Sequence, residues 1–307
     1  KPTASRGARL SALLVITAAC STESTYQLYY LGGQSNMDGY GQVGELPGEL
    51  RGEVDRVMIF TGRTAFDDDS TGGLGIWARL EPGHGTGFHT DGAVNDLSDR
   101  FGPELSFGRA VAEHKPGARI ALIKYSLGGS GLAPGVGYGS WDPNYSDGRG
   151  INQYDHALNT ISHAVSVSDI DGDGTTDRLV PAGIIWMQGE ADAEHSQESA
   201  DAYEANLTRM MNLLRTALGV EDLPVVIGKI TDSGMADDGA VMDYISTVQQ
   251  AQRAFTDSDA CASLVTVTDS IGYLSDAWHY DTEGFMRMGR AFAEAAVELE
   301  AACDGGG

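Results

Sequence analysis

Short runs of apolar and β-branched residues at 26–31, 57–60, 119–125, 182–187, 224–230 and 264–268 read as buried strands. Between them the period changes from a run to a helical repeat, over 104–113, 153–165, 199–218, 244–255 and 283–302. In the last segment Phe285, Met288, Phe292, Ala295 and Leu299 form one apolar stripe, the face a helix buries against a sheet. Strands that alternate with helices predict a parallel sheet covered on both faces.

Two long stretches break this rhythm. Residues 61–102 are rich in Gly and Asp and carry Trp77, His84, Phe88 and His89; residues 133–150 carry Tyr138, Trp141 and Tyr145. Connections of this length in a compact domain usually serve function. The three aromatic rings of the second stretch can either stack on a sugar ring or pin the loop to the body, and the sequence leaves both open. Neither an internal repeat nor a linker divides the chain, so residues 21–307 read as one domain.

Lys1, Arg6 and Arg9 precede an apolar run at 10–19, too short to span a bilayer, which reads as an export leader over residues 1–20. Secretion is the expected localisation. Cys20 after Thr17-Ala18-Ala19 is also similar to a lipoprotein cleavage site, with Thr17 where that pattern has leucine, so a lipid anchor at Cys20 stays open beside free secretion. With Cys20 removed or lipidated, Cys261 and Cys303 remain as an even pair suited to an exported protein. Cys261 precedes a strand and Cys303 ends a helix running back antiparallel to it, so a disulfide between them is expected. The balance of 20 basic and 44 acidic residues, a formal charge of −24, argues against nucleic acid or an anionic membrane surface as partner. Oligomeric state is not legible.

The chemistry is carried by four segments. Gly32-Gly33-Gln34-Ser35-Asn36-Met37 places a serine at the carboxyl end of the first strand, where open α/β sheets hold their sites. A serine hydroxyl needs a base, an orienting acid and oxyanion donors. In Asp276-Ala277-Trp278-His279 the acid lies three residues before a histidine and can fold back on Nδ1, leaving Nε2 for the serine proton. Gly128 and Gly129 follow the 119–125 strand, and Trp186-Met187-Gln188-Gly189-Glu190-Ala191-Asp192 spans the end of the next. The GxSxG elbow of α/β-hydrolases is absent. His84, His89, His114, His156, His163 and His195 lack such company and are expected at the surface or on helix sides.

Together these segments resemble the SGNH hydrolases, and within them carbohydrate esterase family 6 and the sialate O-acetylesterase-like (SASA) group. That resemblance implies a three-layer α/β/α sandwich on a flavodoxin-like parallel sheet. It implies an exported carboxylic ester hydrolase that removes O-acetyl groups from carbohydrate, with Ser35, His279 and Asp276 as catalytic triad and no catalytic cofactor. Oxyanion donors would be the Ser35 amide, the Gly128-Gly129 backbone and the Gln188 side chain, which stands where the wider group has asparagine. Glu190 is expected to support the Gln188 loop, although it and Asp192 are also placed to orient His279 or bind sugar hydroxyls. Acetylated xylan and O-acetylated sialic acid both stay open as substrates, with a non-catalytic carbohydrate-binding protein or a short-chain, lipase-like esterase as the alternative readings.

One further motif stands apart. Asp169, Asp171, Asp173 and Asp177 fall at positions 1, 3, 5 and 9 of a loop with Gly174 at position 6 and Thr175 at position 7, a spacing that wraps oxygens around Ca²⁺. Val180 occupies position 12, where an EF-hand has glutamate, so a structural calcium loop is expected, with a metal-free acidic turn as the alternative.

Overall fold

The computed structural model describes residues 23–237 and 239–303; the leader region and Cys20 lie outside the described residues. Seven strands form the main sheet: β1 (Ser24–Gly33), β2 (Val57–Thr61), β3 (Trp77–Arg79), β4 (Arg119–Ser126), β5 (Asp177–Met187), β6 (Val225–Gly228) and β7 (Ala262–Val265). Their order is β7-β6-β5-β1-β4-β2-β3, parallel throughout except for β3, which pairs antiparallel with β2 at the edge. The helices are α1 (Ser35–Asp38), α2 (Glu104–His114), α3 (Gln153–Val165), α4 (Glu190–His195), α5 (Gln197–Asp201), α6 (Tyr203–Leu218), α7 (Ile245–Ser258) and α8 (Thr282–Cys303).

β1 and β4 are buried on both faces, which is why they read as unbroken apolar runs. On one face Tyr29 meets Phe107 of α2 edge-on, and its hydroxyl bonds Glu300 of α8. The opposite face holds Tyr125 and Trp186, with Trp141 packed edge-on between them and α3 close by through the Tyr125–Gln153 hydrogen bond. The result is the expected α/β/α sandwich.

Local differences have physical causes. β5 begins five residues before the apolar run and carries Pro181 inside it; the β1 register slips between Leu28 and Tyr29, opposite the proline, where a ladder N–H is missing. The 199–218 helix is two helices, because Ser196 starts α5 with a capping box and the chain turns at Ala202 before α6. β3 arises from the Gly/Asp-rich stretch, held by Trp77, whose indole N–H donates to the Ala164 carbonyl. A disulfide joins Cys261, ahead of β7, to Cys303 at the end of α8, with Cα atoms 5.9 Å apart.

The central strands end together. Gly33 of β1 pairs with Ser126 of β4 on one side and Met187 of β5 on the other. From β1 the chain first builds the β4 side of the sheet and then the β5 side, so the direction of winding reverses at β1. The loops leaving these three strand ends therefore form the crevice of a topological switch point.

Candidate active site

Gly33 makes the turn that presents Ser35. Its φ is +146°, and a Cβ there would overlap the Met187 carbonyl, so only glycine fits. Gln34 N–H then donates to that same carbonyl at 3.0 Å, and Ser35 opens α1. Beneath it Lys124 is fully buried, paired with Glu104 at 2.7 Å, and donates to the Asp38 carbonyl that ends α1. Gly128 lies against the serine: a Cβ added there would stand 3.5 Å from Ser35 Cβ. Among the described residues Ser35 Oγ has no hydrogen-bond partner, and the side chain borders a cleft of about 740 Å³.

His279 borders the same cleft. Its Nδ1 is 2.8 Å from Asp276 Oδ2, while Asp276 Oδ1 accepts the backbone N–H groups of Trp278 and His279 at 2.9 and 3.0 Å. The fold-back is closed by Ala277 at φ +69°, a left-handed conformation costly for alanine. Partial burial alone would raise the Asp276 carboxyl, but the hydrogen bonds from the His279 ring and from the two backbone amides outweigh it and hold the group below its ordinary range. Tyr40 stacks on the other side of the imidazole.

Asn36 joins the serine turn to the histidine loop. Its Nδ2 donates to Glu190 Oε1 at 2.8 Å and to the Trp278 carbonyl at 3.2 Å, and its Oδ1 accepts Tyr280 N–H at 3.3 Å. Glu190 is 2 % exposed, and its Oε2 is buried without a partner among the described residues. Burial pushes its carboxyl up, against the Asn36 bond that favours the charged form. It makes no contact with His279 Nδ1, which Asp276 occupies.

Gln188 departs from expectation. Its side chain is fully buried and does not border the cleft: Nε2 donates to Asp192 Oδ2 at 2.7 Å and to the Ser130 carbonyl at 3.1 Å, and Oε1 accepts from Tyr203. The reason is Asp192, a buried carboxylate satisfied by Gln188 together with the N–H groups of Leu132 and Ala133. Asp192 and Gln188 thus shape the loop after β4 from below. Gln34 borders the cleft instead, although only 3 % of it is exposed. Its Oε1 accepts from Ala191 N–H at 3.2 Å and, more weakly, from Gly189 N–H and Gln188 Nε2, which fixes the amide orientation and leaves its NH₂ without a partner among the described residues, on the cleft that Ser35 and Gly128 also border.

The aromatic loop divides. Trp141 is fully buried and donates to Ser130 Oγ at 2.8 Å, so it pins the loop. Tyr138 is 76 % exposed on the cleft and covers Gly129, whose φ is +69°. Tyr145 sits away from Ser35, beside Asp67. Of the histidines expected at the surface or on helix sides, His156 lies on α3 with its side chain buried, and His84 is buried in a loop. His84 bonds Thr61, and burial, aided by Lys124, brings it down to about 3. His195 borders the cleft. Asn36 and Gln34 belong to the serine motif but carry no sequence signal of role, and Tyr40 and His195 reach the site only through the fold.

The acidic loop lies at the opposite end of the sheet. One carboxylate oxygen from each of Asp169, Asp171 and Asp177 falls within 4.8 Å of the others. Asp173 and Thr175 stand outside this group, Asp173 accepting the Thr175 N–H in a local turn.

A family model described as "Carbohydrate esterase, sialic acid-specific acetylesterase" matches residues 25–298. A probable carbohydrate esterase of Arabidopsis thaliana is 24 % identical over 273 residues, 88 % of this chain and 89 % of the relative. Its crystal structure superposes with a TM-score of 0.59 at 20 % identity, covering 89 % of this chain and 98 % of that one. A carbohydrate acetylesterase from Xanthomonas citri gives a TM-score of 0.61 at 15 % identity, covering 90 % of this chain and 57 % of that one. The crystal structure of NanS gives 0.58 at 14 %, covering 91 % and 98 %.

Proposed function

The chain belongs to the SASA family of carbohydrate esterases and is a carboxylic ester hydrolase, and from that premise we propose that it deacetylates carbohydrate through Ser35, His279 and Asp276. The observation that carries the reading is the convergence of Ser35 and a carboxylate-bound His279 on one cleft. Asp276 holds Nδ1–H, so Nε2 is the basic nitrogen that takes the Ser35 proton as Oγ attacks the acetyl carbonyl. The negative charge that develops on the carbonyl oxygen is met by preplaced donors. These are the backbone N–H of Ser35 and of the Gly128-Gly129 turn, with the Gln34 amide in the role expected of Gln188. His279 then returns the proton to the departing sugar oxygen, and water releases acetate from Ser35 by the same steps in reverse order.

Tyr138 and His195 border the cleft from exposed positions and are the groups this reading assigns to the sugar. Residues 1–20 would export the enzyme, free or with a lipid on Cys20. Among the described residues no helix is long and apolar enough to cross a membrane. Acetate release from a panel of acetylated xylans, glucans and sialic acids tests the assignment. The wild type should deacetylate at least one of them and Ser35→Ala none. Equal release by folded Ser35→Ala would reject the mechanism.

A further inference from the structure

Asp177 is the first residue of β5 and only 9 % exposed. Its Oδ2 accepts Ile170 N–H at 2.8 Å, but its Oδ1 is buried with no partner among the described residues. An unpartnered carboxylate oxygen removed from water is costly unless something positive meets it. That same carboxylate belongs to the oxygen cluster with Asp169 and Asp171. Arg119 donates to Asp171 at 2.8 Å and to the Tyr26 hydroxyl at 3.1 Å, and among the described residues no ion pair reaches Asp169, Asp173 or Asp177. The donors are all oxygens, which selects a hard cation, and three clustered carboxylates, more than the one or two that usually hold Mg²⁺, favour Ca²⁺.

The loop also touches three strands where they start. Asp177 opens β5, Asp171 accepts from the Tyr26 hydroxyl of β1 at 2.7 Å, and Arg119 is the first residue of β4. We propose that Asp169, Asp171 and Asp177 bind one Ca²⁺, and that the ion fastens the amino ends of the three central strands whose carboxyl ends carry the esterase site. Site and cleft are separated by the length of β4, roughly 25 Å, so the ion acts on stability and not on the chemistry.

Equilibrium dialysis of the EDTA-treated full chain against Ca²⁺ tests this without reference to esterase activity. One ion should bind per chain and raise Tm by roughly 5 °C at a hundredfold excess over Kd. Tb³⁺ should occupy the loop and luminesce on tyrosine excitation, because Tyr26 is hydrogen-bonded to a ligand residue, and Ca²⁺ should quench that signal by competition. Asp177→Asn and Asp169→Asn should each weaken binding at least about tenfold, the latter serving if the buried substitution does not fold. Metal-free wild type that binds no Ca²⁺ at millimolar concentration would overturn the proposal, as would folded variants that bind as tightly as wild type.

Discussion

Tyr40 lies flat against His279, the ring centroids 3.6 Å apart and the planes 8° from parallel. Asp276 on Nδ1 and the stacked ring together hold the imidazole in one orientation at the cleft. Tyr40→Leu should lower kcat by about 10- to 100-fold, the scale of a misplaced catalytic group, with KM changed much less. Tyr40→Phe should restore most of it. Equal loss in both variants would assign the effect to the hydroxyl, and no loss in either would deny the stack a role.

Asp276→Asn keeps the shape of the loop but favours the wrong imidazole tautomer. Turnover should fall by about 10⁴-fold, the loss known for the corresponding substitution in a serine protease. Glu190→Gln should cost far less, because its carboxylate bonds Asn36 and not the histidine. Steady-state kinetics on variants shown to be folded by circular dichroism decide this. Retained activity in Asp276→Asn with abolished activity in Glu190→Gln would move Glu190 into the triad.

Glu190 also makes a pH prediction. Burial raises its carboxyl in the folded state, so its contribution to stability is full below the unfolded glutamate value and is lost as pH rises through the folded one. Glutamine has no such loss and can place an NH₂ where Oε2 stands unpartnered. The Tm of Glu190→Gln relative to wild type should therefore climb from acidic to neutral pH. A difference that stays constant across that window would mean the carboxyl is not perturbed.

Gln34→Glu retains the oxygen that holds Ala191 and Gly189 while removing the amide donor at the cleft. Its kcat should drop by about 10²–10³-fold with Tm little changed, as for loss of one oxyanion donor. Gln188→Leu should show the opposite pattern, a large fall in Tm, because Asp192 and Ser130 lose their buried partner. An inactive Gln188→Leu of normal Tm, beside an active Gln34→Glu, would return the donor role to Gln188.

What the sequence reveals follows from what is local in it. The β1 and β4 runs and the α8 stripe announce themselves because burial on one or both faces imposes a pattern. The Asp276/His279 contact is legible for the same reason, since both ends lie within one turn. Gln34 and Gln188 are indistinguishable in sequence: both are glutamines following a strand end, and only the position of Asp192 beneath the loop decides which amide is already engaged. Tyr40 meets His279 across more than two hundred residues, and no periodicity encodes that. β3 escapes notice because three residues on a sheet edge, two of them only partly buried, carry too little apolar pattern.

Formation of the acyl-enzyme on Ser35 can be read by treating the full chain with an organophosphonate ester that mimics the acetyl transition state and mapping the adduct by peptide mass. One adduct is expected, on Ser35, its extent matching the loss of acetate release, and none on Asp276→Asn treated for the same short time. An adduct on Ser130, or full loss of activity with Ser35 unmodified, would contradict it.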